Sequence, residues 1–203
     1  MKLYYSPTSP YVRKVRVLLL ETGQDDAVER IPCTASPIQA NAELNADNPL
    51  GKVPALLTGD GAVLFDSPVI CEFLDSLHDG PKMFPAAGPA RWTALRRQAL
   101  GDGILDAALL CRYENAMRPG QFHWPEWEQG QMAKITRGLD ALEREAESLD
   151  GVLDIGSITI GCALGYLDFR FGGMEWRRSR PKLSAWYGGF AKRPSMQETV
   201  PPQ

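Results

Sequence analysis

The feature that most limits the fold is a change of hydrophobic pattern at His78-Asp79-Gly80-Pro81. Before this break, short β-prone runs alternate with short helical segments, whereas after it apolar residues recur only at helical spacing. The pattern predicts an α/β domain at residues 1–78, a linker at 79–88 and an all-helical domain at 89–203. A chain of 203 residues is long enough to bury a core in each domain.

The N-terminal segment predicts the order β-α-β-α-β-β-α. Ser9 is placed to cap the first helix, and Pro10 suits its first position. Asp60-Gly61 is a hairpin dipeptide between the last two strands. The predicted strands cover 2–5, 27–32, 53–57 and 62–65, and the predicted helices cover 10–23, 37–44 and the residues from Ser67 onward.

The C-terminal segment predicts four helices and a tail. The helices cover 90–117, 127–149, 154–171 and 181–192. The tail, 194–203, contains three prolines and is predicted to be extended against the surface.

The charge and the apolar runs exclude several classes of function. The formal net charge is −3, and the basic cluster Arg177, Arg178, Arg180 and Lys182 is short, so we interpret it as a solvated connection between helices and expect no nucleic-acid partner. No run approaches the roughly 18 apolar residues of a transmembrane helix, and the N-terminus does not resemble a secretory signal. We therefore expect a cytoplasmic protein with no membrane partner.

The metal-ligating residue types are few and scattered. The four cysteines, Cys33, Cys71, Cys111 and Cys162, form no C-x-x-C pair, and the histidines are His78 and His123. Metal sites usually show close ligand spacing, so we expect no metal and interpret the cysteines as reduced, buried thiols.

Two dipeptides are candidates for binding a peptide ligand. A cis Val53-Pro54 bond would expose the Val53 amide and carbonyl to an extended peptide, although a trans proline in an edge strand is the alternative. At Asp66-Ser67 a helix N-terminus can hold a carboxylate while Asp66 accepts from an ammonium, the alternative being a simple cap.

Four segments together carry a resemblance to a known family. In order and spacing, SPTSPYVRKVRVLL, NPLGKVPAL, LFDSPVICEFLD and GCALGYLDFR resemble the glutathione S-transferases over nearly the full chain. The resemblance implies a thioredoxin-like domain followed by a helical-bundle domain, a cis Pro54 and a homodimer. Ser9-Pro10-Tyr11-Val12 occupies the position of C-x-x-C in thioredoxin-like proteins, and its lack of cysteine argues against disulfide exchange.

The resemblance also implies roles for individual residues. The N-terminal motif is of the serine type, so Ser9 is the candidate hydroxyl that activates the glutathione thiol, with Tyr5 as the rival. The residues implied for glutathione binding are Lys52, Val53, Pro54, Asp66 and Ser67. Asp102, on the long helix, is a further candidate that can reach the partner subunit's glutathione ammonium, with a solvated helix position as the alternative. The residues implied for an electrophile pocket are Tyr11, Tyr113, Met117, Phe122 and Trp124, with a place in the core as the alternative for each.

The expected function is transfer of glutathione, as co-substrate, to a small electrophile, as in detoxification. Glutathione-dependent isomerisation and dehalogenation are variants of the same chemistry. The alternative is a non-catalytic module of the same fold that binds glutathione or a protein.

The buried helix of the helical domain differs from the family pattern at its start. In the family it begins with Ser or Thr and has Asp three residues later, whereas here Asp154 comes first and Ser157 follows. Asp154 can still cap the helix.

Overall fold

A computed structural model describes residues 1–202 of the chain. The chain divides into two compact units, one formed by residues 1–86 with the residues from Pro194 onward, the other by Ala87–Arg193. The C-terminal tail thus groups with the first unit, whereas the sequence assigned it to the helical domain. No helix within residues 1–202 combines the length and apolar character needed to cross a bilayer.

The first unit is built on a small mixed sheet. Within the described residues its strand order is β2-β1-β3-β4, with β1 parallel to β2 and antiparallel to β3. The predicted order of strands and helices is confirmed. The strands are β1 (Lys2–Tyr5), β2 (Glu29–Pro32), β3 (Ala55–Leu57) and β4 (Val63–Leu64), and the helices are α1 (Pro10–Glu21), α2 (Ala42–Asp47) and α3 (Ser67–Ser76).

Helix α2 lies later in the chain than predicted. The expected helix over 37–44 is wrong, because Asn41 caps the helix and its side chain accepts a hydrogen bond from the Leu44 amide at 3.0 Å. Strand β2 also begins two residues late, after a 3₁₀ turn at Asp25–Ala27.

The second unit is helical throughout, as predicted. Its helices within the described part of the chain are α4 (Gly88–Ala116), α5 (Pro125–Glu145), α6 (Ile155–Arg170) and α7 (Pro181–Phe190). Helix α6 is buried from Ile155 to Leu167 and forms the centre of the unit. Asp154 and Ser157 form a reciprocal capping box, so the exchanged residue types preserve the cap.

The tail is not wholly extended, because Pro194–Glu198 forms a short helix, α8. Arg13 on α1 fixes this segment. Its Nε donates to Thr199 Oγ1 at 3.2 Å, and its terminal nitrogen donates to the Met196 carbonyl at 3.0 Å. These bonds lie within the first unit and explain why the tail groups with it.

The basic cluster near α7 is not simply solvated. Arg180 is buried and its guanidinium pairs with Asp140 at 2.6 Å. Arg177 pairs with Asp168 at 2.5 Å. Lys182, which is exposed, pairs with Glu147 at 2.7 Å. Three of the four charges of the cluster are thus matched by a carboxylate, which supports the structural interpretation over a phosphate site, while Arg178 is exposed.

Candidate active site

The segment before β3 presents an unpaired stretch of backbone. The Val53–Pro54 bond is cis, as the resemblance implies. The Val53 side chain is half-buried and packs against a core cluster that includes Tyr4, Leu44 and Ala55. Neither the amide nor the carbonyl of Val53 has a hydrogen-bond partner within residues 1–202. An extended peptide can therefore pair with this residue as an added strand.

The loop that leads to Val53 is held by Asn48, whose side chain is 1 % exposed. Its Nδ2 donates to the Lys52 carbonyl at 2.8 Å, and its Oδ1 accepts from the Leu50 amide at 3.1 Å. Gly51 has a φ of +60°, a conformation that side chains rarely adopt. The Lys52 side chain is exposed and has no ionic partner among the described residues.

The N-terminus of α3 presents free polar groups. Asp66 occupies the cap position, but its exposed side chain makes no capping hydrogen bond. Ser67 is 2 % exposed, and its hydroxyl has no hydrogen-bond partner within residues 1–202. The simple-cap alternative for Asp66 is therefore not observed. Both side chains, with the first helical amides, remain available to a charged ligand.

Ser9 lies at the N-terminus of α1 with extended backbone angles. Its Oγ accepts a hydrogen bond from the Val12 amide at 3.3 Å, so the helix-cap interpretation is correct. The Ser9 hydroxyl donates its own proton to no acceptor among the described residues. The first turn of α1 contains no acidic residue. The Ser9 hydroxyl thus has a free proton beside the positive end of the helix. It can therefore donate a hydrogen bond to an anion.

Tyr5, the rival of Ser9, lies at the end of β1 and is half-buried. The Arg16 guanidinium carbon lies 5.7 Å from its ring centroid. Tyr5 lines a small cavity with Glu198 and Val200 of the tail, and Ser9, Val53 and Ser67 do not line that cavity. Tyr5 and Ser9 thus lie in different surroundings.

The residues implied for an electrophile pocket occupy different environments. Tyr11 on α1 and Tyr113 on α4 are half-buried, and burial raises the pKa of the Tyr113 hydroxyl. Met117, Phe122 and Trp124, in the connection from α4 to α5, are exposed by 36 %, 62 % and 61 %. These exposures contradict a place in the core for Phe122 and Trp124.

Asp102, the remaining residue implied for glutathione binding, is half-buried on α4. Of the implied binding residues, the structure thus places Lys52, Val53, Pro54, Asp66 and Ser67 in the first unit and Asp102 in the second.

The cysteines are all free thiols. Burial is the main cause that raises the pKa of Cys111 to about 11, and it also raises the pKa of the half-buried Cys33. Protonated thiols are poor nucleophiles, so neither group is a candidate nucleophile.

Sequence reasoning missed Asn48 as a residue of the site. It lies inside the NPLGKVPAL segment that carries part of the resemblance, but the resemblance implies no role for it. Its burial and its bonds across the loop depend on the folded backbone. The sequence does contain one signal for this role: an Asn directly before Pro49. The side chain of Asn often forms hydrogen bonds to the nearby backbone in turns.

Comparisons with known proteins agree with this architecture. The family model described as "Glutathione S-transferase, N-terminal domain" matches residues 8–77, and the corresponding C-terminal domain model matches residues 125–189. A glutathione transferase family member from Pseudomonas fluorescens Pf-5, solved with bound glutathione, is 50% identical, with a TM-score of 0.98 over 100% of this chain and 99% of that one.

Two further similarities extend over whole chains. A second structure of a glutathione transferase family member from that organism, with bound S-(propanoic acid)-glutathione, is 48% identical with a TM-score of 0.93, and all of both chains is covered. The uncharacterized GST-like protein YibF of Escherichia coli K12 is 37% identical over 100% of both chains. Because both domain models match and the relatives are similar over their full length, the chain belongs to the glutathione S-transferase family.

Proposed function

We propose that this protein binds glutathione, lowers the pKa of its thiol and transfers the thiolate to a small electrophile. The observation that carries the proposal is the Ser9 hydroxyl, which accepts a hydrogen bond from the Val12 amide yet keeps its own proton free. The glutathione and the glutathione conjugate bound to the Pseudomonas fluorescens relatives support the choice of ligand.

Glutathione is held, in this proposal, by the unpaired groups of the first unit. Its cysteinyl backbone pairs with the free amide and carbonyl of Val53, which the cis Pro54 follows. The γ-glutamyl carboxylate accepts hydrogen bonds from Ser67 at the positive end of α3, and the ammonium of the same group binds Asp66. Lys52, exposed and unpaired, attracts the second carboxylate.

Ser9 then stabilises the sulfur anion. A free thiol with a pKa near ~8.5 is mostly protonated at neutral pH. A hydrogen bond from Ser9 and the N-terminus of α1 both favour the thiolate, so the pKa falls and the proton leaves to solvent. The sulfur attacks a carbon of the electrophile, forming an S–C bond as the leaving group departs with its electron pair, or as an activated double bond accepts the electrons and then a proton.

Absorbance of the thiolate, titrated with glutathione bound to the protein, tests this assignment. We expect the thiol pKa to lie below that of free glutathione and to return toward it in Ser9→Ala, while Tyr5→Phe keeps the lowered value. If Tyr5→Phe returns the thiol pKa to that of free glutathione and Ser9→Ala leaves it lowered, the activation belongs to Tyr5. An unshifted thiol in the unsubstituted protein, with binding intact, would instead describe a passive glutathione-binding module.

The electrophile, the assembly and the location belong to the same proposal. The apolar surface for the electrophile is supplied by Tyr11, Tyr113, Met117, Phe122 and Trp124. A panel that includes isomerisation and dehalogenation substrates identifies the class of electrophile.

We also propose a cytoplasmic homodimer in which Asp102 faces the partner subunit's glutathione ammonium. The free cysteines support a reducing compartment. Light scattering of the purified protein tests the dimer.

A further inference from the structure

A cavity of about 80 Å³ lies within the first unit, between α1 and the C-terminal tail. Arg13 and Arg16 of α1 line one side of it, and Glu198 and Val200 of the tail line the other. None of the residues assigned above to holding glutathione lines it, whereas Tyr5, the rival of Ser9, does.

Within residues 1–202, Arg16 is a half-buried cation without a counter-ion. It makes no hydrogen bond and no ion pair within residues 1–202, and its Nε is inaccessible to solvent. The one recorded interaction of its guanidinium is with the face of the Tyr5 ring, at 5.7 Å. A buried donor without a partner destabilises the folded state, so an acceptor supplied by a ligand would stabilise it.

Arg13 adds a second guanidinium to the same cavity. It is 6 % exposed, and its recorded acceptors are the neutral Thr199 hydroxyl and the Met196 carbonyl. Among residues 1–202, the only acidic side chain that lines the cavity is Glu198, which is exposed and pairs with neither arginine. The two arginines and this one glutamate give the described part of the lining a net positive charge.

We propose that this cavity binds a small carboxylate through Arg16 and Arg13. The planar guanidinium presents paired N–H donors that match the geometry of a carboxylate. A volume of about 80 Å³ corresponds to two or three water molecules at roughly 30 Å³ each, which suits an anion of the size of formate or acetate. The ligand holds the tail against α1, and it therefore stabilises the folded protein.

Thermal unfolding of the full chain tests the proposal, with acetate titrated against chloride at constant ionic strength. We expect a saturable rise of the Tm in acetate, as ligand binding to the folded state requires, and no such rise in chloride. Arg16→Gln abolishes the acetate-dependent rise. Arg178→Gln removes the same charge from an exposed side chain without a recorded partner and preserves the rise.

The proposal is overturned if acetate changes the Tm of Arg16→Gln and Arg178→Gln alike, or if acetate and chloride change the Tm of the unsubstituted protein equally. If Arg16→Gln does not fold, Val200→Trp fills the cavity without a change of charge and is expected to abolish the acetate response. Titration in the presence of saturating S-methylglutathione separates the two sites. A persistent response supports a separate anion site whether or not the thiol is activated, and a competitive loss contradicts it.

Discussion

Replacement of Asn48 by alanine tests how the loop before Val53 is positioned. The amide of Asn48 makes two hydrogen bonds, to the Lys52 carbonyl at 2.8 Å and from the Leu50 amide at 3.1 Å. Each is worth about 1 kcal/mol, and the groups left behind lie at an exposed loop that water can reach. We therefore expect Asn48→Ala to lower the free energy of unfolding by about 2 kcal/mol.

The same substitution frees the backbone that carries Val53. In Asn48→Ala, glutathione binding would have to order this loop, and the free energy needed for that weakens binding. A cost of about 1.4 kcal/mol corresponds to a tenfold rise in Kd. We expect a rise of roughly tenfold for S-methylglutathione. The thiol pKa should change little, because Ser9 is untouched.

Urea unfolding and calorimetric titration measure these two effects. Gln39→Ala is the matched control, because it also removes a side-chain amide and the Gln39 side chain is exposed, with no hydrogen bond among the described residues. Asn48→Asp keeps the acceptor for Leu50 but places a carboxylate against the Lys52 carbonyl, so it should destabilise at least as strongly as alanine. Equal stability and affinity in Asn48→Ala and Gln39→Ala would refute the positioning role.

Two further predictions concern the second unit. Gly156→Ala should lower the free energy of unfolding in urea by about 3 kcal/mol, because the new Cβ would lie 2.6 Å from the Arg97 Cβ. Gly130→Ala is the control. Its new Cβ meets open space on α5, so it should raise the free energy of unfolding by up to about 1 kcal/mol. A hydrogen bond from the Trp124 amide is the largest cause that lowers the pKa of Glu114, so its stabilisation is present at neutral pH and is lost as the pH falls below the usual glutamate range. The stability difference between the unsubstituted protein and Glu114→Gln should therefore shrink on acidification, and a difference independent of pH would contradict this origin.

The order of elements could be predicted from the sequence because its signals are local. Ser9 and Pro10 mark the start of α1, and the pair Asp154 and Ser157 marks the start of α6; each signal spans a few residues. Val53 and Ser67 are proposed as site residues from signals that are equally local. Whether their polar groups are already paired depends on neighbours distant in sequence, and only the folded chain shows that they are free.

The errors of prediction share a non-local cause. The residues from Pro194 onward were predicted to be extended because they contain prolines, but their place is set by Arg13, more than 180 residues earlier. Arg180 was interpreted as solvated because its partner, Asp140, lies 40 residues away. Composition reveals the charge of such groups, whereas burial and pairing are decided by tertiary contacts.

The position of Arg13 connects the tail to the proposed chemistry. The Arg13 amide donates to the Ser9 carbonyl at 3.0 Å and closes the first turn of α1, while its side chain binds the tail. The tail thus stabilises the turn that holds the Ser9 hydroxyl. Arg13 and Arg16 also leave the early turns of α1 cationic, with no acidic residue in the first turn, and at 1.5 Å per residue both lie within about 11 Å of Ser9 along the axis. Their charge adds to the helix N-terminus in favouring an anion there, so in the proposed mechanism stability and thiol activation depend on the same residues of α1.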